Sequence, residues 1–262
     1  MFCLLLAAAA PEASLQQSVA KMVNEVARPD EETGTTGTAE FSFANATGNT
    51  ENLTLILGGT LEVDQGATEH RFEAGLRYAE GAPDPDQARE QTQEAAYLSY
   101  QLDGDLTDRA FAFGRARYDY DAFSGFEQRV FVGAGLGWRF YESDEVNWTV
   151  SGGPGARYTA RAAVAAEPDP VPADVEAEAW AFSAYAASRF AWDVREGLAL
   201  TQDAAVTYTE ASTTLAGEAA LQSALTDSLA AKVSYRVQHE TDPLEGRAGT
   251  DTLLTAGLTF GF

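Results

Sequence analysis

The stretch that decides the fold is Thr252–Phe262, TLLTAGLTFGF. Leu254, Ala256, Leu258, Phe260 and Phe262 alternate with Thr255, Gly257, Thr259 and Gly261. A period of two places the first set on one face of a strand and the second on the other. In a sheet surrounded by water the apolar face packs on a core. In a barrel that crosses a bilayer the same face meets lipid, and an aromatic at the strand end sits at the membrane interface. The rest of the chain decides between these two settings.

From Gly37 onward about ten alternating residues are followed by a break, and the pattern repeats until Phe262. Twelve strands are predicted: 38–46, 52–63, 69–79, 92–102, 109–120, 127–141, 146–160, 176–192, 198–208, 213–224, 228–239 and 251–262. No helical periodicity separates them, so neighbours are expected to be antiparallel hairpins. The breaks are sorted by length. Those at 64–68, 103–108, 142–145, 193–197 and 225–227 are all short, whereas the long ones, 80–91, 161–175 and 240–250, fall only in the other set. Short turns at one end and longer loops at the other distinguish an outer-membrane barrel. The expected architecture is therefore all-β: a transmembrane antiparallel up-and-down barrel of about twelve strands, preceded by a short helical or mobile segment.

The faces of individual strands agree. Val130, Val132, Ala134, Leu136, Trp138 and Phe140 share one face of the sixth strand, against Arg129, Phe131, Gly133, Gly135, Gly137 and Arg139. In the fifth, Arg115, Arg117 and Asp119 oppose a small and aromatic face ending in Tyr118 and Tyr120; in the eleventh, Lys232 and Arg236 oppose Leu229, Val233 and Tyr235. Charge at mid-bilayer is costly, so the charged faces are expected to point inward. The lumen candidates are Arg115, Arg117, Asp119, Arg129, Arg139, Lys232 and Arg236, with Glu73, Glu178 and Glu240 as further acids. Asp119 and Arg129 are expected to pair across their hairpin, and the inward glycines 133, 135 and 137 to accept something bulky. Trp138, Trp148 and Trp192 fall at the short-turn end and Tyr78, Tyr118, Tyr120 and Tyr208 at the other, as two aromatic girdles.

Composition narrows the function. With 17 Lys and Arg against 40 Asp and Glu, the formal charge is −23, which argues against a nucleic-acid partner. The chain has no apolar run long enough for a membrane helix, which leaves strands as the means of crossing. Only two histidines exist, His70 and His239, and the topology sends them to opposite ends. A Ser–His or Cys–His site needs its members in contact, so no catalytic residue, metal or other cofactor is expected. A hydrolase centred on His239, Glu240, Asp242 and Asp251 is the remote alternative.

Residues 1–10 (MFCLLLAAAA, with the one cysteine, Cys3) are expected to be the remnant of a signal peptide. Residues 11–36 are expected to be a periplasmic pre-barrel segment, with Leu15, Val19, Met22, Val23 and Val26 at helix spacing, and 37–262 the outer-membrane barrel. Thr47–Glu51 reads as a register-fixing turn. The Pro-rich acidic stretch 164–175 reads as mobile, and the acidic outer loops as solvated or cation-bridged to lipopolysaccharide.

Two motifs carry a resemblance. Thr47–Glu51 (TGNTE) is one; Tyr118–Phe126 (YDYDAFSGF), with Arg129 and the glycines of 133–137 behind it, is the other. Together they resemble a bacterial family of salt-induced outer-membrane proteins with no assigned biochemical function, over roughly Gly37 to Phe262. The ending likewise resembles the C-terminal recognition strand of bacterial outer-membrane proteins, with Leu258, Phe260 and Phe262 as the barrel-assembly signal. The resemblance implies an outer-membrane location in a Gram-negative-type bacterium, salt- or osmotic-stress-related expression, lipid and lipopolysaccharide as surroundings, and the barrel-assembly machinery as a partner. It carries over no catalytic residue. The functional expectation is a porin-like, narrow, non-enzymatic channel for ions or small solutes; the alternative is a closed structural or interaction barrel that supports envelope integrity.

Overall fold

A computed structural model describes residues 34–46, 51–82, 88–123, 127–160, 178–243 and 249–262. Twelve strands lie among them: β1 Gly34–Ala46, β2 Glu51–Asp64, β3 Thr68–Ala82, β4 Glu90–Asp105, β5 Ala110–Asp121, β6 Gln128–Glu142, β7 Val146–Ala160, β8 Glu178–Arg195, β9 Leu198–Thr209, β10 Thr213–Ala224, β11 Leu229–Glu240 and β12 Thr250–Gly261. Each pairs antiparallel with its neighbours in the chain, and β12 pairs with β1 to close the barrel. The first strand begins at Gly34 instead of Thr38. Gly34–Gly37 looks like a break in the sequence, but the ladder to Asp64–Leu61 of β2 gives its backbone partners. The expected helix, signal remnant, Thr47–Thr50 and the 161–175 loop lie outside the described residues.

Closure rests on a short interface. It runs from Gly37, whose N–H donates to the Phe262 carbonyl at 2.9 Å, to Ser42 opposite Gly257. Phe262 lays its ring over Gly37, where a Cβ would come within 2.5 Å of it. On the short-turn side, Gly66 and Gly197 reverse the chain with φ of 80° and 74°, a conformation that side chains resist.

The outer face is apolar. Leu254 is 70% exposed and Phe182 69%, and Phe72, Leu76, Leu98, Val132, Leu136 and Val233 share their face around the ring. In water such a belt would be a large unfavourable surface; in hydrocarbon it is the solvated side, and closure leaves no strand edge to satisfy. The barrel is transmembrane. On the outer face Trp138, Phe140 and Trp148 stand toward the short-turn end and Tyr158, Trp180 and Tyr208 toward the loop end. A bulge at Arg139–Tyr141 lets both Phe140 and Tyr141 stack on Trp148, at 5.0 and 6.4 Å. At the loop side Tyr158 meets Trp180 at 5.4 Å.

The core is inside the barrel. Phe111, Phe113, Phe131 and Tyr185 form a buried aromatic wedge on the β5–β8 wall, with Phe131 and Tyr185 centroids 5.4 Å apart. The inward glycines make room for it: a Cβ on Gly137 would run into the Phe111 ring, and one on Gly133 would lie 2.6 Å from Phe131. The expectation of something bulky is met at Gly133 and Gly137 by these two rings, whereas at Gly135 it is the Gly152–Gly153 backbone of β7 that leaves no room for a Cβ. Near the short turns, Arg71 is held between Glu62 at 2.5 Å and Glu69 at 3.0 Å, and Glu62 is only 2% exposed.

Gly137→Ala should therefore destabilise the folded barrel by about 1–3 kcal/mol through overpacking, whereas Gly114→Ala, with nothing within 4 Å of the added methyl, should be close to neutral. Urea unfolding followed by tryptophan fluorescence separates the two; equal midpoints would contradict the wedge. In the same assay Arg71→Met should cost about 3–5 kcal/mol by stranding the buried Glu62 charge, and adding Glu62→Leu should recover much of the loss.

Candidate functional site

The lumen is the candidate site, and strand pleat decides what lines it. Each inward position on one strand faces an inward position on the next: Arg117 opposite Ser99 and Phe131, Phe131 opposite Arg157, Arg236 opposite Glu218. Among the described residues nearly every Lys and Arg points inward. The exceptions stand at the rims: Arg89 before β4, Arg109 in the β4–β5 turn and Arg195 at the end of β8. A strongly acidic chain thus spends its few cations on its interior.

Arg115, Arg117, Asp119, Arg129, Arg139, Lys232, Arg236, Glu73 and Glu240 are all on the inward face, but they do not act as one ring. Arg139, near the short turns, pairs with Asp105 at 2.7 Å and lies 5.0 Å from the Phe111 ring centre. Lys232 bridges Glu40 at 2.6 Å and Glu218 at 3.0 Å, and Arg236 binds the same Glu218. Arg117 pairs with Asp119 at 2.6 Å and stacks over the Tyr97 ring at 4.3 Å.

One expected contact is corrected. Asp119 and Arg129 are register partners across the β5–β6 hairpin, as the sequence requires. Each nevertheless pairs elsewhere: Asp119 with Arg117 two residues along its own strand, and Arg129 with Glu240 of β11 at 3.4 Å. The planar guanidinium of Arg117 reaches both oxygens of Asp119 from its Nε and Nη2, a fork that a partner across the ladder would have to compete with.

Ion pairs cross the lumen. Glu73 on β3 takes Arg115 of β5 at 3.6 Å and Arg189 of β8 at 3.8 Å; β3 and β8 are five strands apart in a ring of twelve, on nearly opposite walls. The Arg129–Glu240 pair joins β6 to β11 with the same separation. Arg189 also reaches Asp203 at 3.3 Å, and Arg115 lies 5.3 Å from the Tyr185 ring centre and donates to Gln101 at 3.0 Å. The passage is narrowed by charge from opposing walls at mid-height and by the aromatic wedge at one side.

Sequence reading missed several of these groups. Arg77, Arg157, Arg189, Asp203 and Glu218 were each visible as inward charges by parity within their strands. Their partners were not visible, since a cross-lumen pair joins residues more than a hundred positions apart. The side chain of Glu178 lies outside the described residues. The histidines face outward: His70 Nδ1 meets the Tyr100 hydroxyl at 2.9 Å, and His239 Nδ1 meets Thr250 Oγ1 at 2.8 Å at the other end of the barrel.

The uncharacterized protein YdiY of Escherichia coli (strain K12) is 30% identical over 140 residues, which cover 53% of this chain and 50% of that protein, so the chain spans about half the length of the curated relative it matches. Among solved structures, the NanC porin is 9% identical with 86% and 98% of the two chains covered and a TM-score of 0.49. The translocator domain of the autotransporter NalP from Neisseria meningitidis is 12% identical with 95% of each chain covered and a TM-score of 0.47. A family profile covers residues 39–262, nearly the whole barrel, and the chain belongs to that family, described as protein of unknown function, DUF481.

Proposed function

We propose that this chain is a bacterial outer-membrane barrel that passes ions or small solutes through a narrow, charged lumen and performs no catalysis. The observation that carries the reading is Glu73 of β3 held between Arg115, two strands away, and Arg189 from the nearly opposite wall. Rings of charged side chains at a constriction set which ions enter and how fast they leave. The location is supported by the apolar belt, the aromatic ends and the short turns on one side, since bacterial membrane barrels are an outer-membrane architecture. Lipid and lipopolysaccharide would surround the belt, and the assembly machinery would read the Leu258, Phe260 and Phe262 strand. Salt-responsive expression belongs to the same proposal and is checked by transcript level after an osmotic upshift.

The second reading is a closed structural barrel. The aromatic wedge of Phe111, Phe113, Phe131 and Tyr185 favours it, because a filled interior need conduct nothing.

Refolded, heat-modifiable protein in a planar bilayer distinguishes the two. The channel reading expects small discrete openings, with the Glu73→Ala/Arg189→Ala double variant conducting more than wild type because the crossing pair is gone. Silence from well-folded wild-type protein, with openings appearing only after Phe131→Ala and Tyr185→Ala, would assign the closed barrel instead.

A further inference from the structure

The lumenal cations are not all matched. Among the described residues Arg77 and Arg157 have no ion pair, while the other lumenal Lys and Arg side chains each reach a carboxylate. Both lie in the loop-side half of their strands, Arg77 on β3 and Arg157 on β7. The Arg77 Nε is buried with no hydrogen-bond partner. Arg157 donates from Nη1 to Thr214 Oγ1 at 3.1 Å. That hydroxyl lies 3.2 Å from the Glu240 carboxylate, which also receives Arg129 at 3.4 Å and the Ser212 hydroxyl at 2.9 Å. Two guanidiniums, two hydroxyls and a single carboxylate therefore converge at the loop-side mouth.

Of the nearby acids, Asp119 is committed to Arg117 and Glu218 to Lys232 and Arg236, while Asp121, in the same inward register as Arg77 across β4, accepts from the Phe123 N–H at 2.9 Å and makes no ion pair with Arg77. A guanidinium withdrawn from water without a carboxylate in contact is costly, as for the buried Arg157 and the half-buried Arg77, and its planar fork suits a carboxylate or phosphate in two-point contact.

We infer that the loop-side half of the lumen is a binding site for small organic anions, in which Arg157 beside Arg129 and, on a separate wall, Arg77 receive the carboxylate or phosphate groups of the passing solute. The inference deepens the channel reading and rests on it for the word passing, but the site itself is a property of the folded barrel. Thr214 and Ser212 supply neutral contacts that hold the anion without trapping it. The Arg115–Glu73–Arg189 group then forms the next station, where an arriving anion competes with Glu73 for the two guanidiniums.

The test uses the refolded full chain. Isothermal titration of detergent-solubilised protein with succinate, and separately with inorganic phosphate, measures the site without requiring conductance. Saturable binding is expected, weakened about tenfold or more in Arg157→Gln and in Arg77→Gln, the loss of a charge-assisted hydrogen-bond pair, and unchanged in Arg109→Gln at the turn rim. Arg77→Lys should keep the charge but lose the fork, giving weaker binding with an intact fold by heat-modifiable migration. Tighter succinate than phosphate binding would identify carboxylates as the natural group, and the reverse would identify phosphates. No saturable binding of either ion to folded wild type, or binding indifferent to both Gln variants, overturns the inference. In bilayers the same anions should reduce chloride current, and salt gradients should give an anion-selective reversal potential that Arg77→Gln and Arg157→Gln diminish; a cation-selective wild type also overturns it. Binding without any conductance would sink the channel reading and leave the site standing.

Discussion

Hydrocarbon offers no partner to a backbone N–H or C=O, and that constraint organises this molecule. Every strand must find its hydrogen bonds in a neighbour, and the last must find them in the first. The β12–β1 interface, from Gly37–Phe262 to Ser42–Gly257, is where this condition is met, and it is the shortest in the ring. Its close approach is visible at Gly257, where a Cβ would strike the Phe41 carbonyl and the Ser42 side chain. Glycine there lets two walls meet that a larger residue would hold apart.

Once the ring is closed, the pleat does the rest. A period of two gives each strand one face for lipid and one for the interior, and a slip of a single residue would exchange them. Leucines, valines and aromatic rings outside and arginines inside are thus two consequences of one register. The bulge at Arg139–Tyr141 is instructive because it breaks the alternation locally and uses the break: Phe140 and Tyr141, neighbours in sequence, both reach Trp148. The β6–β7 wall departs from regularity as well, with inward glycines that give their space to the Phe111 and Phe131 rings.

This is why the fold was legible and the site only partly so. Strand count, pairing, the two aromatic ends and the inward placement of Arg115, Arg117, Asp119, Arg129, Arg139, Lys232 and Arg236 follow from periodicity, which is local. The start of β1 at Gly34 was missed because glycine and threonine carry little alternation, and pairing to β2 decided it. Partnership inside the lumen is not local. Asp119 and Arg129 face each other in register, yet the bond goes to Arg117 because a guanidinium two residues along the strand already presents its fork to both carboxylate oxygens. Glu73 meeting Arg189 depends on how near the opposite walls come, which no stretch of sequence records.

Charge balance links the interior to the chain as a whole. At a formal −23 the molecule has acids to spare. The lumen is different: its mid-height carboxylates are nearly all engaged by arginine or lysine, so its field is set by the few groups left over. A matched pair contributes little to an ion's energy in transit, since its own field largely cancels at a distance. If the lumen conducts as proposed, Arg77 and Arg157, which make no ion pair, would therefore weigh more on selectivity than the more numerous paired residues around them. A densely charged interior of this kind would discriminate through two side chains because the others neutralise one another.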